Sequence, residues 1–322
     1  MTQPCGPSYT VAHLAVKHPL VACCVCACVG VAGYISYDEK MNIVAPVIAT
    51  EVSTNSPAGQ LYQPSPIVGD VVPSVSSNTY LTSDKFVLNY KDGELPPMIS
   101  FTFDDAPASN VYVANTLKEN SMVGTFYIPT DFTSTEDRIN SHGIKKLVMD
   151  GHQIGGHTKS HVDLVGLEGE QLISEVSESQ DILENRYGIR VKSFAYPYSS
   201  YDSTVLNITT PYYTSAVSVG DGINVVGEYN QWAISRLDVT RDMTADQVCN
   251  KVSETMGNQW LVLMFHDIKP IDYQNGEEQV SPWVYDPVEF EKIVQCVKNS
   301  QTFDGSKVVT IDEGVYTFSK KE

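Results

Sequence analysis

The sequence is poor in positive charge. Its 322 residues include 21 lysines and arginines against 39 aspartates and glutamates, which gives a formal net charge of −18 at pH 7. No basic patch offsets this excess, and an acidic surface repels the phosphate backbone of DNA and RNA. We therefore expect no nucleic-acid partner, and we expect repulsion from strongly anionic polymers.

Cysteine is scarce beyond residue 28, where only Cys249 and Cys296 remain. These two could form a disulfide or stay reduced in the core, and the sequence leaves both alternatives open. Four of the other cysteines lie within the apolar run 20–33. Cysteine behaves there as a small hydrophobic residue, and thiolates would be costly in lipid, so we favour packing over a metal site for this cluster.

Charge is missing from residues 20–36, a run of about 17 residues that reaches the lower limit for a membrane-spanning helix. Lys17 precedes the run and Asp38 follows it, which favours a short cytoplasmic N-terminus, 1–19, and an exported C-terminal part. We predict a transmembrane anchor at 20–36. A cleaved signal segment is the main alternative and a lipoprotein is a weaker one, and each of them also exports the rest of the chain.

Residues 37–85 are rich in proline, serine, threonine and valine, which predicts an extended linker that holds a domain away from a membrane. From residue 86 onward, strand-like and helix-like segments alternate over about 235 residues. This alternation predicts an α/β fold for residues 86–322, a single distorted (β/α) barrel of about seven to eight strands. In such barrels the active-site residues gather at the C-terminal ends of the strands.

Periodicity and flanking residues predict the individual elements. The predicted strands are 98–103, 125–128, 193–196, 215–219, 232–239, 261–265 and 307–311. The predicted helices are 110–120, 137–149, 168–187, 245–256 and 287–298, with Gly188 ending the third of them.

Two adjacent carboxylates, Asp104 and Asp105, directly follow the first predicted strand of the barrel. Adjacent side chains at a strand end point to different sides, so one carboxylate can bind a metal while the other acts as a base. An exposed acidic turn is the alternative, because short motifs have high false-positive rates.

Two histidines, His157 and His161, are spaced four residues apart after a glycine-rich segment. On one face of a helical turn, this spacing lets both imidazoles reach one ion. Together with Asp105 they would form a set of two histidines and one carboxylate with open coordination positions. Such a set suits Zn²⁺ or a related divalent ion that activates water. Two exposed histidines are the alternative.

Four further residues could contribute to a site. Pro197 and Tyr198 follow a predicted strand in a proline turn, which can present a backbone N–H to a developing oxyanion. His266 stands at the tip of the apolar strand 261–265 and could protonate a leaving amine, unless it is a structural histidine capped by Asp267. Trp283 could stack on a sugar ring or pack within its loop.

The order and spacing of these elements resemble the polysaccharide deacetylase family, also called carbohydrate esterase family 4 or the NodB-homology domain. The resemblance covers about residues 97–311. Its motifs are Thr102-Phe103-Asp104-Asp105, the segment 151–161 with both histidines, the segment 194–199, and His266.

This resemblance implies a role for each matching residue. It implies that Asp104 is the general base, that His266 is the general acid, and that the Tyr198 N–H binds the oxyanion. Asp105, His157 and His161 would bind one divalent ion, Zn most of all, with Co, Ni or Mn as alternatives. The substrate would contact Pro197, Met264 and Trp283, with Leu263 and Met264 beside the acetyl methyl.

Two residues of the family pattern are missing from their usual places. Many members carry an arginine in the third motif that pairs with the catalytic base, but the chain has Phe-Ala-Tyr-Pro there. Arg236 is a candidate replacement from another strand, and an ordinary ion pair with Asp238 is its alternative. Asp238 is in turn a candidate to orient His266.

These features predict a metal-dependent hydrolase that removes N-acetyl groups from an extracellular or cell-wall polysaccharide of the N-acetylglucosamine type and releases acetate. Two other functions remain open. One is an exported glycan-binding protein with a degenerate deacetylase site, and the other is a metal-dependent amidase acting on a small amide.

Overall fold

The computed structural model describes residues 23–26, 31–34, 93–271, 281–303 and 305–321. The chain divides into two units, residues 1–79 and 80–322, and each is described by itself. In the first unit, strands β1 (Cys23–Cys26) and β2 (Val31–Tyr34) pair antiparallel. The described residues within the predicted anchor 20–36 therefore form strands and not a helix, and its other residues, like the linker 37–85, lie outside the described part. Among the described helices, none has the length and apolar character needed to cross a bilayer.

The second unit is an α/β barrel, as the alternating segments predict. Its strands are β3 (Met98–Phe103), β4 (Gly124–Ile128), β5 (Gln153–Gly156), β6 (Ser193–Ala195), β7 (Ser215–Gly220), β8 (Ile223–Val225), β9 (Ile234–Asp238), β10 (Gln259–Phe265), β11 (Asp267–Ile268), β12 (Val284–Tyr285) and β13 (Lys307–Val308). Its helices are α1 (Asn110–Glu119), α2 (Ser141–Met149), α3 (Gly169–Tyr187), α4 (Ser203–Thr209), α5 (Ala245–Glu254), α6 (Pro287–Phe303) and α7 (Ile311–Ser319).

The barrel wall is a closed ring of parallel strands in the order β3-β4-β5-β6-β7-β9-β10. The ring closes because β10 pairs with β3 along its length, with Trp260 opposite Met98 and Phe265 opposite Phe103. Strand β8 runs antiparallel to the first half of β10. The Asn224 side chain of β8 bonds both backbone groups of Ser235 on β9, each at 2.9 Å. The Asn224 side-chain amide thus takes the place of strand-to-strand hydrogen bonds at a position where β9 and β10 do not pair.

Alternation along the strands separates two hydrophobic clusters. Leu261, Leu263 and Phe265 of β10 belong to the cluster packed against the surrounding helices. Trp260 and Val262 belong to the cluster inside the barrel. Helix α7 packs against that inner cluster, where a Cβ on Gly314 would meet the Trp260 ring at 2.3 Å.

Local capping explains where the observed elements differ from the predicted ones. The helix predicted at 137–149 begins only at Ser141, because the Asn140 side chain accepts a bond from the Gly143 N–H at 3.0 Å. The strand predicted at 307–311 ends at Val308, because Thr310 forms a capping box that begins α7. Helix α4 was not predicted, although Asp202 caps its N-terminus.

Strand β5 was not predicted either, and its two glycines are the reason. Glycine has low strand propensity, so the segment reads as a turn. In the folded chain, a Cβ on Gly155 would lie 2.3 Å from the Tyr127 ring, and a Cβ on Gly156 would lie 2.3 Å from the Tyr213 hydroxyl. The glycines therefore permit close packing inside a strand.

Candidate active site

The two adjacent aspartates stand at the C-terminal end of β3. The Asp104 N–H donates to the Phe265 carbonyl at 3.0 Å, which extends the β3–β10 pairing to the mouth of the barrel. Asp105 and Ala106 then adopt left-handed backbone angles, with φ of 68° and 53°. Such angles are costly for residues other than glycine and concentrate at functional sites. They accompany a change of chain direction in which Asp104 is buried and Asp105 stays partly exposed.

The two histidines follow β5, but the segment between them is not helical. Thr158 and His161 both have left-handed backbone angles, with φ of 62° and 59°. The predicted helical turn is therefore wrong. The irregular turn still brings the two imidazole rings together, with a centroid separation of 4.8 Å.

Asp105, His157 and His161 present three ligand atoms to one another. The Asp105 Oδ1 atom lies 3.3 Å from His157 Nε2 and 3.0 Å from His161 Nε2. This oxygen is buried, and no hydrogen bond satisfies it among the described residues. The His157 Nδ1–H donates to the Ala195 carbonyl at 2.7 Å, which leaves the Nε2 lone pair facing Asp105.

Three electron pairs that converge in this way repel each other unless a cation or protons lie among them. A carboxylate with two imidazoles, one of them oriented by a backbone carbonyl, is the kind of donor set that binds a divalent metal. The described residues therefore fit a metal ion at this position.

Arg236 reaches Asp104 from strand β9, on the far side of β10. Its Nη1 donates to Asp104 Oδ1 at 2.7 Å, and its Nη2 donates to Oδ2 at 2.8 Å. Both side chains are almost fully buried. Burial raises the pKa of the Asp104 carboxyl, but the charge and hydrogen bonds of Arg236, together with His157 and His266, outweigh that effect and hold the pKa below its ordinary value. Asp104 is therefore ionised at neutral pH. The ion pair joins Arg236 to Asp104, and not to Asp238 as the alternative had it.

His266 directly follows β10 and packs on Trp283, with a ring centroid separation of 4.8 Å. The capping of His266 by Asp267 is not observed, because Asp267 bonds the Ser109 hydroxyl at 2.7 Å and Lys269 at 2.7 Å. The His266 Nδ1 atom is buried without a hydrogen-bond partner in the part of the chain that the structure describes. Burial lowers the pKa of His266, and the nearby Asp104 and Asp105 oppose this effect only in part.

Asp238 ends strand β9 and is partly buried. Burial raises the pKa of its carboxyl to about 6. Its Oδ1 atom has no hydrogen-bond partner within the described residues, and the same holds for His266 Nδ1. These two atoms are therefore not bonded to each other, and the structure does not join Asp238 to His266 through them.

The other residues predicted to contact the substrate or the oxyanion lie in two places. Some lie at the mouth of the barrel, and one lies in the cluster packed against the surrounding helices. Pro197 is buried in a short 3₁₀ turn, and Tyr198 is 70% exposed with its ring 5.0 Å from that of His161. Met264 is buried on the face of β10 that Trp260 and Val262 share. Leu263 lies on the opposite face with the helix-packed cluster. The prediction that Leu263 contacts the acetyl methyl is therefore wrong, because successive strand residues point to opposite sides.

Two residues that hold the site in place were not predicted. Arg138 donates to the Asp105 carbonyl at 2.7 Å, next to the left-handed turn. Glu175 of α3 bonds the backbone between the two histidines. The one sequence signal for Glu175 is its place beside the buried stripe of α3, where an acid is unusual.

A barrel whose mouth carries an ionised aspartate, a metal-type donor set and a strand-end histidine has the architecture of a hydrolase. Residues 91–213 match the family model for polysaccharide deacetylase. Over these residues the chain is similar to the polysaccharide deacetylase family, and its deacetylase relatives support a hydrolase that acts on N-acetyl amide bonds. The matched range includes both aspartates and both histidines, and it ends before Arg236 and His266.

Two curated relatives illustrate the similarity. The chain is 28% identical over 179 residues to the chitooligosaccharide deacetylase of Azorhizobium caulinodans. This match covers 54% of the chain and 75% of the relative. It is 25% identical over 140 residues to the peptidoglycan-N-acetylglucosamine deacetylase PgdA of Listeria monocytogenes, which covers 43% of this chain and 29% of the relative. A solved structure of T48 deacetylase with substrate is 20% identical, with a TM-score of 0.49, and the match covers 69% of this chain and 92% of that one.

Proposed function

We propose that the protein is a metal-dependent deacetylase that removes N-acetyl groups from a polysaccharide of the N-acetylglucosamine type and releases acetate. The observation that carries this proposal is the donor set of Asp105, His157 and His161 beside an ionised Asp104 that Arg236 holds with two hydrogen bonds. The match to the family model and the names of both relatives support it.

Each side chain has a role that follows from its position. Asp104 accepts a proton from the attacking water, since it is ionised and rigidly oriented. The Tyr198 N–H donates to the oxyanion that develops on the acetyl group. His266 donates a proton to the departing amine nitrogen. A divalent ion held by Asp105, His157 and His161, with zinc as the proposed ion, would supply Lewis-acid activation of the water and of the carbonyl.

Two exposed aromatic rings support a sugar polymer as the substrate. Tyr198 lies beside His161, and Trp283 lies beside His266 and is 44% exposed. Each of these two histidines therefore has an aromatic ring beside it, and aromatic faces pack well on sugar rings. Pro197 and Met264 would contribute contacts near the acetyl group. The net charge of −18 favours a neutral glycan over a strongly anionic one.

We also propose that residues 86–322 act outside the cytoplasm, with residues 20–36 as a membrane anchor or cleaved segment, residues 37–85 as a linker and residues 1–19 as a cytoplasmic N-terminus. The disulfide between Cys249 and Cys296 supports an oxidising compartment for the catalytic domain.

The alternative of a glycan-binding protein with a degenerate site loses its main argument, because Arg236 supplies the arginine that the third motif lacks.

The proposal is tested by measuring acetate release from chito-oligosaccharides and from peptidoglycan with the full chain. We expect release by the wild type and a loss of at least about 100-fold with Asp104→Asn, which keeps the shape but removes the base. Asp242→Asn is the matched control, since Asp242 is 79% exposed and should leave the rate unchanged. Equal release by the wild type and Asp104→Asn would sink the proposal.

A further inference from the structure

The segment between the two histidines is held in an unfavourable conformation. Residues 158–161 form no helix or strand, and Thr158 and His161 both lie in the left-handed region, with φ of 62° and 59°. Such a conformation is costly for a residue other than glycine and persists only where surrounding contacts determine it. The structure should therefore contain groups that hold this segment in place.

One carboxylate bonds three donors of this segment. Glu175 Oε2 accepts from the backbone N–H groups of Lys159 at 3.0 Å and of Ser160 at 2.9 Å. Glu175 Oε1 accepts from the Ser160 hydroxyl at 2.6 Å. Hydrogen bonds to a charged acceptor are about twice as strong as neutral ones.

Glu175 is itself held firmly because it lies on α3 next to the buried stripe of that helix. Leu172, three residues before it, and Val176, directly after it, are buried in the cluster between strands and helices. The Glu175 carboxylate therefore fixes the short segment between the histidines to a long helix that is itself held by packing.

The other side of the segment is bonded as well. The Thr130 N–H donates to the Thr158 carbonyl at 3.3 Å, and the Asp131 N–H donates to the Lys159 carbonyl at 2.9 Å. The Lys159 and Ser160 N–H groups thus face Glu175, while the Thr158 and Lys159 carbonyls face the turn after β4. The segment is fixed from both sides, and Glu175 supplies the only charged acceptor that the described residues offer to its backbone N–H groups.

We propose that Glu175 is a positioning residue for the metal site. It sets the separation and orientation of His157 and His161 through the backbone between them, and it touches neither the metal position nor the substrate. This inference rests on the proposed function in one respect, namely that the two histidines bind a metal ion. Groups that orient metal ligands typically change metal affinity 10- to 100-fold when they are altered.

The same helix offers a matched control. Glu178 lies one turn further along α3 and pairs with the Lys159 side chain at 2.9 Å, and it does not bond the backbone of the segment. Glu175→Gln replaces one acceptor oxygen with an NH₂ group. This group cannot accept a hydrogen bond from the Lys159 N–H, the Ser160 N–H or the Ser160 hydroxyl. Glu178→Gln makes the identical chemical change at an exposed position.

The experiment measures metal affinity and not activity alone. The metal-free full chain is titrated with Co²⁺, whose absorption spectrum reports the ligand geometry, and with Zn²⁺ against a competing chelator. We expect the dissociation constants of Glu175→Gln to rise roughly 10- to 100-fold with an altered Co²⁺ spectrum, and those of Glu178→Gln to stay within about twofold of the wild type. Far-UV circular dichroism checks that both variants are folded.

Each outcome decides the proposal. Wild-type affinity and spectrum in Glu175→Gln would overturn it. If Glu175→Gln does not fold, Ser160→Ala removes a single one of the three bonds, and unchanged affinity in that variant would overturn the proposal as well. A wild type that binds metal but releases no acetate would contradict the deacetylase function and leave the role of Glu175 intact.

Discussion

Arg236 and Asp104 form a buried, two-fold hydrogen-bonded ion pair across strand β10, with N–O distances of 2.7 and 2.8 Å. The pair joins strands β9 and β3, which are not neighbours in the barrel. The Arg236 guanidinium also lies 5.5 Å from the centroid of the Tyr127 ring inside the barrel. A carboxylate held in this way is ionised and has one orientation, as a catalytic base requires.

The first prediction concerns the fork geometry of Arg236. Arg236→Lys keeps the charge but cannot bond both oxygens of Asp104 at once, so Asp104 should lose its fixed orientation. We expect kcat to fall about 10- to 100-fold in acetate release while metal content stays unchanged. Arg190→Lys is the control, since Arg190 forms an exposed pair with Glu184. An Arg236→Lys enzyme with wild-type kcat would show that the pairing is only structural.

The second prediction concerns metal removal. Because Asp105, His157 and His161 each offer one ligand atom, dialysis against a chelator should abolish acetate release, and Zn²⁺ should restore it. His161→Gln should prevent the restoration, and elemental analysis should find at least about tenfold less bound metal than in the wild type. Asp242→Asn should bind metal normally. Full activity of the chelator-treated protein would contradict a role for a metal.

The third prediction concerns His152, which is buried between α1 and β4. It accepts a bond from the Gly124 N–H at 3.2 Å and donates to the Ala114 carbonyl at 3.2 Å, which requires the neutral ring. Burial lowers the pKa of His152 to about 4. Below the ordinary pKa of about 6.5, the unfolded chain therefore binds a proton that the folded chain does not, and stability falls as the pH drops towards 4.

This linkage has a measurable size. Between pH 7 and pH 5, His152 should lower the free energy of unfolding by about 2 kcal/mol. Urea unfolding at both pH values measures this change. Between pH 7 and pH 5, His152→Gln should lose about 2 kcal/mol less unfolding free energy than the wild type. The control is His142→Gln, at an exposed position, which should retain the wild-type loss. Identical pH dependence in all three proteins would contradict the buried neutral histidine.

The fourth prediction concerns the disulfide between Cys249 of α5 and Cys296 of α6, whose Cα atoms lie 5.9 Å apart. The bond closes a loop with a sequence separation of 47 residues. Chain entropy predicts a stabilisation of about 4 kcal/mol for a loop of this length. Cys296→Ser should lose a large part of it in urea unfolding, and a reductant should destabilise the wild type but not this variant. Peptide mapping that finds both thiols free in the purified protein would contradict the bond.

Local patterns in the sequence predicted much of the fold. The alternation of apolar strands and amphipathic helices predicted the barrel, and α3 ends at Gly188 in the left-handed conformation that its glycine permits. Strand β5 was missed because Gly155 and Gly156 fit a strand only through their contacts with Tyr127 and Tyr213. Those contacts come from residues that are distant in the sequence, so no local pattern records them.

The candidate site follows the same division. Asp104, Asp105, His157 and His161 were found because the members of each pair are close in the sequence, and the two aspartates directly follow a predicted strand. The turn between the histidines was predicted as helical, since spacing alone does not distinguish a helical turn from a left-handed one. Glu175 was missed because its target is the backbone, which carries no sequence signal.

The amino-acid sequence by itself determined the alternating elements and the residues at the strand ends, because both depend on side chains that are neighbours along the chain. Only the tertiary structure decided that Arg236 pairs with Asp104, that Glu175 bonds the segment between the histidines, and that Cys249 joins Cys296. Those contacts depend on how the barrel closes, and closure brings together residues whose distance in the sequence carries no record of their distance in space.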